Sequence, residues 1–353
     1  MPTLDGHDPR AVQRAARHLA AGELLAFPTE TVYGLGARAD EDAAVARIYA
    51  AKGRPADHPL IVHVADAAGA LHFADALEPA AQALIAAFWP GPLTVIVPRA
   101  LGIARAAAGG QASIGLRAPS HPLAQALLRE AAALGVPGVA APSANRFGRV
   151  SATAAAHVAA EFGPGLWLLD GGVCALGIES SILDCSRPGA APALLRPGVL
   201  TRERIERVLR AATGRGLRER DAESPRASGT LAAHYAPAAE LRLMTAEALH
   251  AALGGRTPPR LAVYSRAVFP AGGDVVHRAM PPDAAGAAHE LFSVLRDFDA
   301  AGIRSIWIER PPPGPEWEGV HDRLSRAAAA HAAGGDADPG STGTFSDTLS
   351  ERT

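Results

Sequence analysis

Short apolar runs alternate with longer segments in which apolar positions recur every three to four residues, and the alternation continues along most of the chain. The short runs suit buried strands and the longer segments amphipathic helices. Residues 8–21 read as a helix, with Asp8 as N-cap, Pro9 at the first position and Gly22 as the stop. A buried strand over 24–27 runs into a polar turn over 28–36, and a helix over 40–51 follows. Strands are predicted at 60–64, 93–97, 113–117, 139–142, 167–170 and 180–184. Helices are predicted at 66–72, 79–88, 122–134, 153–161 and 202–212. The periodicity then fails over an Arg-, Ser- and Gly-rich stretch at 213–237, which reads as a linker. Beyond it the alternation resumes, with strands near 240–244, 260–264 and 303–308 and helices near 245–253, 283–300 and 315–333. That order suits a small, mostly parallel, doubly wound sheet. The expected organisation is a domain at 1–212, a linker at 213–237, a second α/β domain at 238–333, and a Gly-, Ser-, Thr- and Asp-rich disordered tail at 334–353.

Composition narrows this picture. At 353 residues, 48% hydrophobic and 20% charged, the chain has the make-up of a soluble globular protein with two domains. Net charge is −2, so no bulk attraction to polyanions is implied, while a local basic groove stays open. The first residues lack the apolar core of a signal peptide, and no apolar run is long enough to span a membrane, so the expected location is the cytoplasm. Cys174 and Cys185 are expected to be buried free thiols, and the 13 histidines show no zinc spacing.

The candidate chemistry begins with two singular residues. Lys52 is the only lysine; the other 33 of the 34 basic residues are arginine. A composition rich in Ala, Gly, Pro and Arg replaces lysine wherever arginine serves, so Lys52 marks a place where a compact ammonium is required. Asn145 is likewise the only asparagine. Polar residues recur at strand ends in the first half: Thr31 and Tyr33, Lys52 and Arg54, His63, Ser113 and Arg117, Ser143 and Asn145, and Ser180. In open α/β sheets such ends converge on ligands. Each residue alone also suits a capped turn, and His63 alone suits a core histidine. Lys52 with Arg54 suits a phosphate-bearing ligand. No Walker A loop, GxGxxG or GxSxG is present, so a nucleotide would be held without a P-loop.

Lys52-Gly53-Arg54 and Ser143-Ala144-Asn145 resemble the KxR and SxN signature of the YrdC-like family. Residues 27–36, 59–63, 89–94, 195–198 and the His234-Tyr235-Ala236-Pro237 segment resemble it too, and the two-domain layout is similar to the long form of the family, the threonylcarbamoyl-AMP synthases. The resemblance implies a twisted open sheet with a concave cavity, plus a small Rossmann-like C-terminal α/β domain. It implies that L-threonine, bicarbonate and ATP yield threonylcarbamoyl-AMP and pyrophosphate, by adenylyl transfer to N-carboxy-threonine. Mg²⁺ would arrive with ATP and have no protein metal site. A TsaD-type transferase would pass the group to the adenosine beside the anticodon of ANN-decoding tRNAs. Carried over by position, Thr31, His63, Arg117, Ala141 (by its backbone) and Ser180 would bind threonine. Lys52, Arg54, His58, Ser113, Ser143, Ser151, Arg196 and Tyr235 would bind ATP, with Lys52, Arg54, Ser143 and Asn145 catalytic. Tyr235 would make the linker a lid. His58 stands where the family commonly has asparagine. The alternative is a module for structured RNA, against which the net charge and the lack of a basic run both speak.

Overall fold

The structure, a computed structural model, describes residues 1–270 and 275–332, so the expected tail lies outside the described residues. Ten strands form the first sheet. In chain order they are β1 (Thr3–Asp5), β2 (Leu25–Phe27), β3 (Gly34–Arg38), β4 (Ile61–His63), β5 (Leu93–Pro98), β6 (Ser113–Arg117), β7 (Val139–Ala140), β8 (Trp167–Asp170), β9 (Ser181–Asp184) and β10 (Ala193–Arg196). Their spatial order is β1-β8-β2-β3-β7-β4-β6-β5-β9-β10. Parallel and antiparallel pairings mix. β4 runs parallel to β6, with His63 opposite Arg117, so two candidate side chains sit next to each other at one pair of strand ends.

The second sheet holds β11 (Glu240–Met244), β12 (Leu261–Ser265), β13 (Val276–Ala279) and β14 (Ser305–Glu309), in the order β11-β14-β12-β13, parallel throughout. The helices Ala246–Leu253, Ala284–Ala300 and Glu318–Ala332 cover it, and Thr245 and Asp283 cap the first two by accepting backbone N–H groups. The core of this sheet is not closed on itself. Val32, Val150 and Ile178 from the first half, and Tyr235 from the linker, pack among Phe292, Leu295 and Leu324. The interface between the halves is therefore a shared apolar core.

Four strands escape the sequence pattern: β1, β3, β10 and β13. β3 is instructive, because it begins inside what reads as a turn and takes its last three residues, 34–36. Gly34 and Gly36 look like turn residues, yet both lie in the strand, pressed against the Phe27 ring. A Cβ at Gly36 would meet Val139 at 2.7 Å and that ring at 2.8 Å. Here glycine serves close packing. β13 carries Val-His-Arg-Ala on an exposed edge and so has no alternation to read. The first helix is Ala11–Ala20, later than expected, because the Asp8 carboxylate accepts the Arg10 N–H in a preceding turn. Cys174 and Cys185 are buried free thiols as expected, and burial pushes the Cys174 thiol up to about 12. No helix among the described residues is long and apolar enough to cross a membrane.

Candidate functional site

The turn between β2 and β3 builds one end of a cleft of about 500 Å³. The Thr29 hydroxyl closes the turn by donating to Val32 O at 2.6 Å and accepting the Thr31 and Val32 N–H groups. This aims the Thr31 hydroxyl at Arg117, whose Nη1 donates to it at 2.8 Å. Arg117 Nε donates to Gly91 O, and Nη2 stands 2.7 Å from Glu30 Oε1. That ion pair is too bent to count as a hydrogen bond, so both Glu30 oxygens lack a hydrogen-bond donor although the residue is only 6% exposed. His63 lies beside Arg117 on the cleft wall. Burial, aided by the Arg117 charge, lowers its imidazole to about 3. Ser180 completes this end, sharing a hydrogen bond with Thr94 at 2.8 Å.

The other end is made by arginines. The helix Asp42–Lys52 stops at Gly53, whose φ of 64° is the left-handed cap that favours glycine. The chain reverses there, so Lys52 points inward and Arg54 enters the cleft. Arg54 Nη2 donates to Pro59 O at 2.9 Å and to Ser228 Oγ at 3.1 Å. Burial pulls this guanidinium down to about 10. Arg196 donates to Ser180 O and Oγ and, through Nη1, to Ser228 O at 2.9 Å. Ser228, Gly229, His234 and Tyr235 thus bring the linker over the cleft, against both arginines. Tyr235 is buried with a φ of 62°, and its ring stacks on Phe292.

Arg54, Arg117 and Arg196 converge on a cleft lined, among the described residues, by a single carboxylate, Glu179. Burial alone would raise Glu179; Arg323 and Arg196 outweigh it and hold the carboxyl below its usual range. The site therefore favours anions at both ends. The carboxylate is already engaged, with Oε1 receiving Ser151 Oγ and Oε2 receiving Arg323 Nε. Among the described residues no group of three or more His, Cys, Asp or Glu side chains could hold a metal.

Of the residues expected from the sequence, Arg54, His63, Arg117, Ala141, Ser143, Ser180, Arg196 and Tyr235 line this cleft. Thr31 stands behind Arg117. Five others are placed differently. Lys52 does not line it: 3% exposed, its ammonium donates to Ser143 O at 2.7 Å and to Asn145 O, bracing the loop that carries Ser143. Asn145 is buried and ties the same loop by donating to Arg146 O and Arg149 O. Ser151 is fully buried against Glu179. His58 packs edge-on to Phe147, at 5.4 Å between ring centres. Ser113 lines an adjoining pocket of about 280 Å³ with Ile96, Ile182 and Ser228. Sequence reasoning missed Glu30, Glu179, Ser228 and Arg323. Glu179 and Ser228 had positional signals, beside Ser180 and within the linker; Arg323 had none.

The two buried neutral histidines make a pH prediction. His63 and His234 titrate near 3 in the fold, both chiefly through burial. An unfolded imidazole titrates near 6.5, so between these values the unfolded chain binds more protons. Stability is fully present above about pH 6.5 and falls as pH drops, by about 1.4 kcal/mol per pH unit for each histidine. Urea melts at pH 7, 6 and 5 should show a falling midpoint, with a shallower fall in His234→Gln. An unchanged midpoint would refute the reading.

Comparison with known proteins places this geometry. Residues 17–198 match the Sua5, YciO and YrdC family, described as telomere recombination, and residues 200–329 match the threonylcarbamoyl-AMP synthase C-terminal domain. The chain is 38% identical over 341 residues to the threonylcarbamoyl-AMP synthase of Bacillus subtilis, covering 92% of this chain and 94% of that protein. It is 32% identical to the Schizosaccharomyces pombe protein of the same name, covering 86% and 85%. Among solved structures it resembles Pyrococcus abyssi Sua5 complexed with L-threonine, with a TM-score of 0.81 and 32% identity, covering 94% of this chain and 98% of that one.

Proposed function

We propose a function from one premise: the chain belongs to the threonylcarbamoyl-AMP synthase family. It makes threonylcarbamoyl-AMP and pyrophosphate from L-threonine, bicarbonate and ATP, for threonylcarbamoyladenosine in tRNA. The observation that carries this reading is a single cleft with cations at both ends, Arg117 with Thr31 at one and Arg54 with Arg196 at the other. The reaction needs two anions, a carbamate and a triphosphate, held within bonding distance in a site shielded from water.

Arg117 takes the carboxylate of threonine; after Gly91 O and Thr31, three of its five N–H groups make no hydrogen bond, one on Nη1 and both on Nη2. Neutral His63 and the Ser180 hydroxyl face the rest of the amino acid. The threonine amine adds to bicarbonate with loss of water. A carbamate oxygen then attacks the α-phosphorus, and the bond to the β-phosphate oxygen breaks as pyrophosphate leaves. Arg54 and Arg196 neutralise the phosphates as charge builds on the leaving group. In chemical class this is nucleotidyl transfer. The one carboxylate on the cleft is already paired, so Mg²⁺ enters bound to the triphosphate and needs no dedicated protein ligands. Ser113 and the apolar pocket around it adjoin the phosphate end and suit the nucleoside. The linker acts as a lid, its Ser228 standing on both arginines until phosphates displace it. The adenylate then passes to a TsaD-type transferase in the cytoplasm.

The test is pyrophosphate release from ATP and Mg²⁺, with threonine and bicarbonate omitted in turn. Release should require both, and Tyr235→Ala should weaken ATP binding and shorten the life of the adenylate. Release that ignores threonine would sink the reading. Tight, salt-sensitive tRNA binding without turnover would favour the RNA alternative.

A further inference from the structure

One side chain of the second domain reaches the cleft wall. Arg323, on the helix Glu318–Ala332, is 1% exposed and heads the fully buried side chains by size. Its donors are committed across the domain boundary. Nε donates to Glu179 Oε2 at 2.8 Å and Nη2 to Glu179 O at 3.2 Å. Nη1 donates to Pro197 O at 2.8 Å and to Asp322 Oδ2 at 2.8 Å. Glu179 immediately precedes Ser180, and Pro197 immediately follows Arg196. Arg323 therefore clamps the flanks of two cleft residues that are themselves joined by hydrogen bonds. Its guanidinium also lies over the Tyr235 ring, at 5.3 Å. Both walls and the lid meet on this one residue.

We propose that Arg323 is a positioning residue for the synthase reaction: acting through Glu179 and Pro197, it holds Ser180 and Arg196 where threonine and ATP meet them. This rests on the functional reading above. A buried arginine in a domain interface also serves stability, and the two roles separate in the readout. A strut lowers the melting temperature alone. A positioning residue also shifts substrate KM values and the pH profile, because Glu179 loses its strongest partner. The groups facing Glu179 are Arg323 from the last helix, Arg196 from β10, Lys52 from the helix Asp42–Lys52, Ser151, and His234 and Tyr235 from the linker, while Asp322 pairs with the same Arg323 guanidinium. Without Arg323, burial dominates and the carboxyl protonates at higher pH.

The full-length chain is assayed for threonine-dependent pyrophosphate release as wild type, Arg323→Lys, Arg323→Met and Glu179→Gln, each with a thermal melt. Arg323→Lys keeps the charge without the fork, so it remains informative if Arg323→Met does not fold. In Arg323→Lys the KM values for threonine and ATP should rise about tenfold each and kcat should fall roughly 10–100-fold. The acid limb of kcat/KM should move to higher pH, and should vanish in Glu179→Gln. Combining Arg323→Lys with Glu179→Gln should cost less than the sum of the two. Wild-type kinetics in Arg323→Lys, or a lower melt with unchanged KM values and pH profile, would overturn the positioning role alone. A wild type that releases no pyrophosphate overturns the functional reading and this inference with it.

Discussion

Arg117→Met is expected to abolish threonine-dependent pyrophosphate release and to lower the unfolding free energy by about 3–5 kcal/mol. Both effects follow from one arrangement. Arg117 is 4% exposed, and its Nη2 stands 2.7 Å from Glu30, which has no hydrogen-bond donor of its own. Removing the guanidinium strands a buried carboxylate and releases Thr31 from its place in the turn. The partners allow the two losses to be separated. Glu30→Gln combined with Arg117→Met should regain part of the stability, since the stranded charge is gone, and none of the activity. Arg117→Lys should regain stability better than turnover, because an ammonium supplies charge without the two-pronged grip that a carboxylate matches. Denaturant melts and pyrophosphate assays on the three variants decide it. A threonine KM within about threefold of wild type in Arg117→Met would show that the carboxylate docks elsewhere.

Lys52→Arg is expected to lower turnover by about 10²-fold or more. The site is small and closed. The lysine ammonium rests between the carbonyls of Ser143 and Asn145, and burial, followed by the Arg54 charge, pulls its proton affinity far below the usual range. The longer, planar guanidinium does not fit that gap without pushing the Ser143–Asn145 loop away. The Lys52 carbonyl also accepts the Phe147 N–H, and Phe147 lies under Arg54 at 5.6 Å, so a displaced loop disturbs the Arg54 end of the cleft as well. A brace predicts that Lys52→Arg raises the KM of threonine and of ATP together. A direct phosphate contact predicts a loss confined to ATP. Lys52→Met should also destabilise the chain by about 1–3 kcal/mol, because Asn145 O is left without a donor while Ser143 O keeps the Asn145 N–H.

Much of this protein was legible before any coordinates. Alternating strands and helices, the break at 213–237 and the resumed α/β pattern came from periodicity, which records burial one residue at a time. The lone lysine and lone asparagine marked the loop that matters, because a biased composition makes exceptions visible. What each does there was not legible. Lys52 reads as a ligand-gripping cation and sits as an internal brace, since sequence reports charge and not direction. Gly34 and Gly36 read as a turn and lie in β3, since the Phe27 ring that requires them is brought there by the pairing of β2 with β3. Glu30 lies beside Arg117, and Arg323 beside Glu179, across 87 and 144 positions of chain. Residues so far apart meet only when the sheets close and the second domain docks. Local pattern therefore determined the elements and the candidate loops. Only the tertiary structure decided which charges pair, which face the cleft, and that an arginine of the second domain holds its wall.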